Sequence, residues 1–131
     1  MENKDREFDI NITVAEDLLT INVKGNYSLV KANNLFKLAI DSAVSQQKSR
    51  ILIDVTNISG DIPFIDRFQF SEFLSIYRTE HASGKVSKIA MVGQEPIIDK
   101  RRFGETVAVN RGTNTKVFTD MSEASAWLDE K

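Results

Sequence analysis

Apolar and polar residues alternate strictly at the start of the chain. Phe8, Ile10, Ile12 and Val14 are separated by Asp9, Asn11 and Thr13. A period of two places one set on each side of an extended backbone, so this stretch predicts a half-buried strand. Glu16 and Asp17 interrupt it, and Leu19, Ile21 and Val23 then alternate with Thr20, Asn22 and Lys24. Two such runs joined by so short a polar turn predict an antiparallel hairpin, closed off by Gly25-Asn26.

From Ser28 the period lengthens. The Ser28 hydroxyl is placed to accept an orphan backbone N–H, and Ala32, Leu35, Phe36, Ala39 and Ala43 fall on one helical stripe behind it. The stripe runs out in Ser45-Gln46-Gln47-Lys48. Arg50-Ile51-Leu52-Ile53-Asp54-Val55 then reads as a strand covered on both faces, because its apolar run is almost continuous. A loop dense in turn residues follows over Thr56 to Pro63. Phe64 to about His81 is helical, with Phe70, Phe73, Leu74 and Tyr77 as its main stripe, and Ser83-Gly84 terminates it.

Ile89 to Gly93 predicts a second buried strand. Pro96 suits the first turn of a third helix, on which Ile97, Phe103, Gly104, Val107 and Ala108 share a face and which Gly112 caps. Thr115 to Phe118 form a last strand. Asp120 or Ser122 then caps a short helix carrying Ala126, Trp127 and Leu128. The order is β-β-α-β-α-β-α-β-α, an α/β fold with a mixed sheet of about five strands, helices packed on it and right-handed crossovers. No repeat, low-complexity tract or linker divides the chain, so residues 1–131 are expected to form a single domain.

Composition narrows the function classes. The formal charge is −2, with 17 basic and 19 acidic residues, and no long basic run marks a nucleic-acid or anionic-membrane surface. The absence of cysteine removes disulfides, thiolate catalysis and cysteine-ligated zinc together. The opening MENKDREFD is too polar for a secretory signal, and no apolar stretch approaches the roughly 18 residues of a membrane span. A cytoplasmic location is the expectation.

Candidate chemistry is sparse. The single histidine, His81, lies near a helix end, where it meets terminal carbonyls, and no nucleophile or orienting carboxylate is spaced to make it a general base. One histidine without cysteine also leaves too few typical zinc or iron ligands, so neither a metal nor a cofactor is expected. Asp54 interrupts an apolar strand near its carboxyl end, the end at which open α/β sheets usually bind ligands. It equally suits acceptance of backbone N–H groups from the following loop. Lys100-Arg101-Arg102 follow a strand-to-helix turn, a reasonable anion site, but Asp99 and Glu105 sit among them and no phosphate-binding glycine loop is present.

The least ordinary segment is the second helix. Residues 63–77 hold Phe64, Phe68, Phe70 and Phe73, four of the eight phenylalanines. Ile65, Phe68 and Ile76 lie on a different side from the main stripe. A helix apolar on two sides is either enclosed by the fold or presents a patch to something else.

The element order, with Arg50 to Val55 as central strand and a helix opening at Phe64-Ile65-Asp66, resembles a STAS domain, the fold of bacterial anti-sigma-factor antagonists. The C-terminal half, Ser87 to Gly93 and on through Phe118 to Ala126-Trp127-Leu128, is similar to the SpoIIAA-like (STAS/SEC14-type) bacterial proteins. The resemblance runs from about Phe8 to Leu128. Phospho-switched antagonists of that family carry D-S-S-G or a close variant at the start of this helix, with the first serine phosphorylated. Here the matching residues are Asp66-Arg67-Phe68-Gln69. Arg67 stands in place of the phosphoacceptor and the glycine is missing, which leaves Thr56 and Ser59 in the preceding loop as alternative hydroxyls.

What the resemblance implies is a non-catalytic regulatory module that binds a protein partner through this helix and the loop before it. Asp66, Arg67, Phe68 and Ser59 are then the partner-binding residues, and aromatic and arginine side chains are common interface anchors. The alternative is a carrier or sensor of a small apolar or anionic ligand, with Asp54, Arg101 and Arg102 at its site under the second and third helices. A hydrolase or transferase using Asp54 and Asp66 lacks a nucleophile, base and oxyanion donor. The apolar helix also offers a surface for a symmetric dimer.

Overall fold

In a computed structural model of the chain, residues 7–82, 85–95, 97 and 114–130 are described. Among them are five strands, β1 (Asp9–Ala15), β2 (Leu18–Asn26), β3 (Arg50–Ser59), β4 (Lys88–Val92) and β5 (Thr115–Phe118). Three helices accompany them, α1 (Leu29–Ser45), α2 (Phe64–Ala82) and α3 (Met121–Asp129). The strands lie side by side in chain order, with β1 antiparallel to β2 and every other neighbour parallel. The fold is therefore the mixed five-stranded α/β sheet that the sequence pattern predicts.

Alternation along the central strands sorts two cores. Leu19, Ile21 and Val23 of β2, Ile51, Ile53 and Val55 of β3, and Ile89 of β4 pack with Leu35, Phe36, Ala39, Ile40 and Ala43 of α1 and Leu74 of α2. On the other face Leu52, Ala90, Val92 and Phe118 pack with Ala124 and Leu128 of α3. The helices α1 and α2 meet through Phe36 and Phe70, whose rings stand edge to face at 4.5 Å.

Local chemistry sets the helix ends. The Ser28 hydroxyl accepts from the Lys31 N–H at 3.2 Å, as predicted. At the far end of α1, Lys48 N–H donates to Ala43 O at 2.8 Å and Gln47 N–H to Val44 O at 3.2 Å. This is a Schellman closure in which Gln47, at φ 59°, occupies the left-handed position usually given to glycine. Asp120 is the cap of α3, accepting from Ser122 N–H at 2.7 Å. The carboxyl end of α3 is held by two cations from strand starts. Arg50 donates to Leu128 O at 2.9 Å and to Asp129 Oδ1 at 3.0 Å, and Lys88 donates to Trp127 O and Glu130 O at 2.6 Å.

Several sequence expectations shift. The strand expected to be half-buried at Phe8–Val14 buries only Phe8, just before β1. Ile10, Ile12 and Val14 stay 36%, 36% and 42% exposed, because β1 is an edge strand and α1 lies over β2 and β3. The central strand does not stop at Val55. A register shift between Asn22 and Lys24 lets it pair on to Ser59, so Thr56 and Ser59 belong to β3 and not to a loop. On α1, Ile40 rather than Ala32 completes the buried stripe, and on α3 Ala124 rather than Ala126 is buried. The helix expected from Pro96 and its cap at Gly112 lie outside the described residues apart from Ile97, which is buried. Ser83-Gly84 lie outside them as well.

Candidate functional site

The carboxyl ends of β2 and β3 bring the β2–α1 and β3–α2 connections together beside the first turn of α2. Tyr27 follows directly after β2, and its N–H donates to Ser59 O at 2.8 Å, which holds the two connections side by side. Its hydroxyl donates to Asp66 Oδ2 at 2.9 Å. Asp66 itself lies in the opening turn of α2, where its N–H donates to Pro63 O at 3.0 Å and where the helix dipole favours negative charge. Partial burial holds the Tyr27 hydroxyl well above its ordinary range, and the bond and charge of Asp66 add to that. Tyr27 thus acts as a neutral donor to Asp66.

Ser59 is exposed at the end of β3, and its hydroxyl donates to Asn26 Oδ1 and, at 3.5 Å, to Gly25 O. Gly60 continues the chain at φ 107°, a conformation an L side chain rarely adopts. Arg67 is half-buried, and one guanidinium nitrogen donates to Ile97 O at 3.0 Å, tying α2 to the segment after β4. Phe68 is half-buried as well, whereas Ile65 and Ile76 are 57% and 54% exposed. The second apolar side expected on this helix is therefore present, and its two isoleucines face solvent.

The structure brings Asp66, Arg67, Phe68 and Ser59 to one end of the molecule. It does not bring Asp54 with them. Leu52 packs toward α3 while Ile51, Ile53 and Val55 pack toward α1 and α2, so alternation turns Asp54 to the α3 face. There it accepts from the Thr56 N–H at 2.9 Å, the bond to its own following backbone that the sequence allowed. Arg101 and Arg102 lie outside the described residues. A shallow open cleft of about 230 Å³ does exist, lined by Asp9, Ile10, Asn11, Asn22, Val23, Lys24 and Asn57, but it lies along β1, β2 and β3 and not under α2.

Sequence reasoning missed Tyr27. Its only local signal is an aromatic residue between the Gly25-Asn26 strand end and the Ser28 cap, and nothing in that position tells that its partner lies 39 residues away. His81 sits in the last turn of α2, with its ring stacked on Tyr77 at 3.9 Å and Nδ1 3.0 Å from Tyr77 O. Among the described residues no three His, Cys, Asp or Glu side chains are grouped to hold a metal ion. No helix among them is long and apolar enough to cross a membrane.

A family model described as SpoIIAA-like matches residues 18–129, nearly the whole chain. The chain belongs to the SpoIIAA-like family. Its fold is shared with an anti-sigma factor antagonist from Mycobacterium paratuberculosis, at 13% identity and a TM-score of 0.59, with 94% of this chain and 95% of the other covered. It is also shared with an uncharacterized protein of SpoIIAA-like fold from Shewanella loihica, at 18% identity and a TM-score of 0.54, covering 93% of each chain. No curated protein matches the sequence.

Proposed function

We propose that this SpoIIAA-like chain is a non-catalytic regulatory module that binds a protein partner through the first turns of α2 and the adjoining ends of β2 and β3. The observation that carries the reading is the solvent-facing apolar side of α2. Ile65, next to Asp66, is 57% exposed, although the rest of the helix is anchored through Leu74 and Phe70. A helix pinned at its start by the Tyr27–Asp66 bond presents that side in a fixed orientation, which lowers the ordering cost of binding. The shared fold with an anti-sigma factor antagonist supports a regulatory partner of this kind.

Arg67 in place of the phosphoacceptor, bonded to Ile97 O, favours a partner controlled by other means than phosphorylation at that position. Native mass spectrometry of the protein isolated from its own cells at natural abundance tests the reading. A stoichiometric protein partner is expected, and Ile65→Asp should release it while Val30→Asp, on the exposed side of α1, should not. A partner retained equally by both variants, or a bare chain carrying only a small bound molecule, would overturn it.

A further inference from the structure

The open edge of the sheet carries a second surface, independent of the α2 reading. β1 is the terminal strand in the sheet order, and among the described residues only β2 pairs with it. Ala15 and Leu18 are partners across the two-residue turn Glu16-Asp17, and a loop that short closes on a pair that exchanges both backbone hydrogen bonds. Alternation then gives Ala15, Thr13, Asn11 and Asp9 to the ladder with β2. The N–H and C=O groups of Ile10, Ile12 and Val14 point away from it, along the open edge.

The same three residues carry the exposed apolar side chains. Their Cα partners in β2 are Val23, Ile21 and Leu19, which are buried under the helical layer, so Ile10, Ile12 and Val14 extend that apolar face beyond its cover. Lys31 reaches over the Phe8 ring at 5.1 Å and marks the side of α1 that looks toward β1. Leu38, two turns further on, lies on that side and is 37% exposed. Edge strands of monomers are usually blunted by lysine, proline or a bulge. β1 has none of these. Its one charge, Asp9, is at its end, and the sheet's irregularity lies between β2 and β3.

We propose that β1 pairs antiparallel with β1 of a second copy of this chain, on a two-fold axis at Ile12, to give a continuous ten-stranded sheet. The strand sequence is self-complementary in that register. Ile12 faces Ile12, Ile10 faces Val14, Asn11 faces Thr13 and Asp9 faces Ala15. Apolar residues thus meet apolar ones on the face that α1 covers, the neutral Asn11 and Thr13 meet on the other, and the Asp9 carboxylates lie apart at the two ends of the paired strands. The outward backbone groups of Ile10, Ile12 and Val14 meet those of Val14, Ile12 and Ile10. A seven-residue edge gives an interface at the low end of the specific range, roughly 1,200 Å² in total or less, so the dimer is reversible and concentration-dependent. The pairing is lateral and leaves Ile65 and Asp66 accessible, whereas a dimer through α2 would cover them.

Sedimentation velocity over a dilution series from micromolar to millimolar, with residue-resolved amide exchange at both ends of it, is the test. The expected result is a monomer–dimer equilibrium in which the Ile10, Ile12 and Val14 amides become protected with concentration, while those of Asn11, Thr13 and Ala15 are protected throughout. Ile12→Lys, which puts two ammonium groups opposite each other on the axis, should leave a monomer at every concentration; Thr13→Lys, on the other face, should still dimerise. A monomer throughout the series, a dimer whose three outward amides still exchange freely, open-ended growth, or a dimer that survives Ile12→Lys would each overturn the proposal.

Discussion

Tyr27 and Asp66, 39 residues apart, are joined by a 2.9 Å hydrogen bond that fastens the β2–α1 connection to the first turn of α2. The bond holds the end of the helix that the proposed partner would meet. Tyr27→Phe removes the donor and keeps the ring. It should cost about 1–2 kcal/mol of stability, since the acceptor is a carboxylate and the site is half-buried. Chemical denaturation measures the loss. If the latch orients α2, the variant should also loosen the partner, whereas Tyr77→Phe at the other end of the helix should not.

The two tyrosines of the chain both titrate late. Tyr77 donates to Asp41 at 2.7 and 2.9 Å, and that bond, with some burial and the Asp41 charge, pushes its pKa up to about 12. Tyr27 is raised as well, by burial first. A pKa raised by folding means that the folded chain keeps protons the unfolded chain has lost. This contribution is complete below the ordinary value of 10 and is lost as pH rises above it. The tyrosinate absorbance of the folded protein should therefore stay low through pH 10. Stability should fall beyond that point, and less steeply in the double variant Tyr27→Phe, Tyr77→Phe.

Asp17 behaves in the opposite sense. Its carboxylate accepts from the Ser49 hydroxyl and, at 2.8 Å, from the Ser49 N–H, and these bonds lower its pKa below 3.8 with smaller help from Arg50 and Lys48. A depressed pKa contributes stability that is present above the ordinary value and lost as pH falls through the folded one. Thermal melts of Asp17→Ala should lie below those of the parent at neutral pH and converge with them under acid. Because the side chain is 47% exposed, the neutral-pH loss should be about 1 kcal/mol or less.

Gln47 holds a left-handed backbone, φ 59°, at the end of α1. Replacing it with glycine removes the steric penalty at that position and should stabilise the protein by roughly 0.5–1 kcal/mol, read as a higher denaturation midpoint with an unchanged slope. Gly25→Ala should do the reverse. At φ 146° its added Cβ would stand 3.0 Å from Phe8 Cδ1, so the variant meets both backbone strain and the ring.

The two sides of α2 should answer differently to truncation. Leu74 is 1% exposed in the core between helices and sheet, and Leu74→Ala should cost about 2–5 kcal/mol. Ile65→Ala, on the 57% exposed side, should fall within about 0.5 kcal/mol of the parent. A large loss at Ile65 would show that the residue is buried in the native protein and is no binding surface.

The sequence by itself determined what short-range physics controls. The period-two runs set β1 and β2, the apolar run from Arg50 set the central strand, Ser28 set the start of α1, and the stripe through Phe70 and Leu74 set the buried side of α2. Each is a repeat or a cap whose partner lies within a few residues, so one chain in isolation displays it. The tertiary structure decided what depends on neighbours distant in sequence. Only the placement of α1 over β2 and β3 left Ile10, Ile12 and Val14 uncovered on an edge, though their alternation is indistinguishable from that of Leu19, Ile21 and Val23. A strand pattern encodes which residues share a face, and the packing of the helices decides whether that face is covered. Likewise only the register shift beside Lys24 carried β3 on to Ser59, and only the meeting of two connections gave Tyr27 its carboxylate.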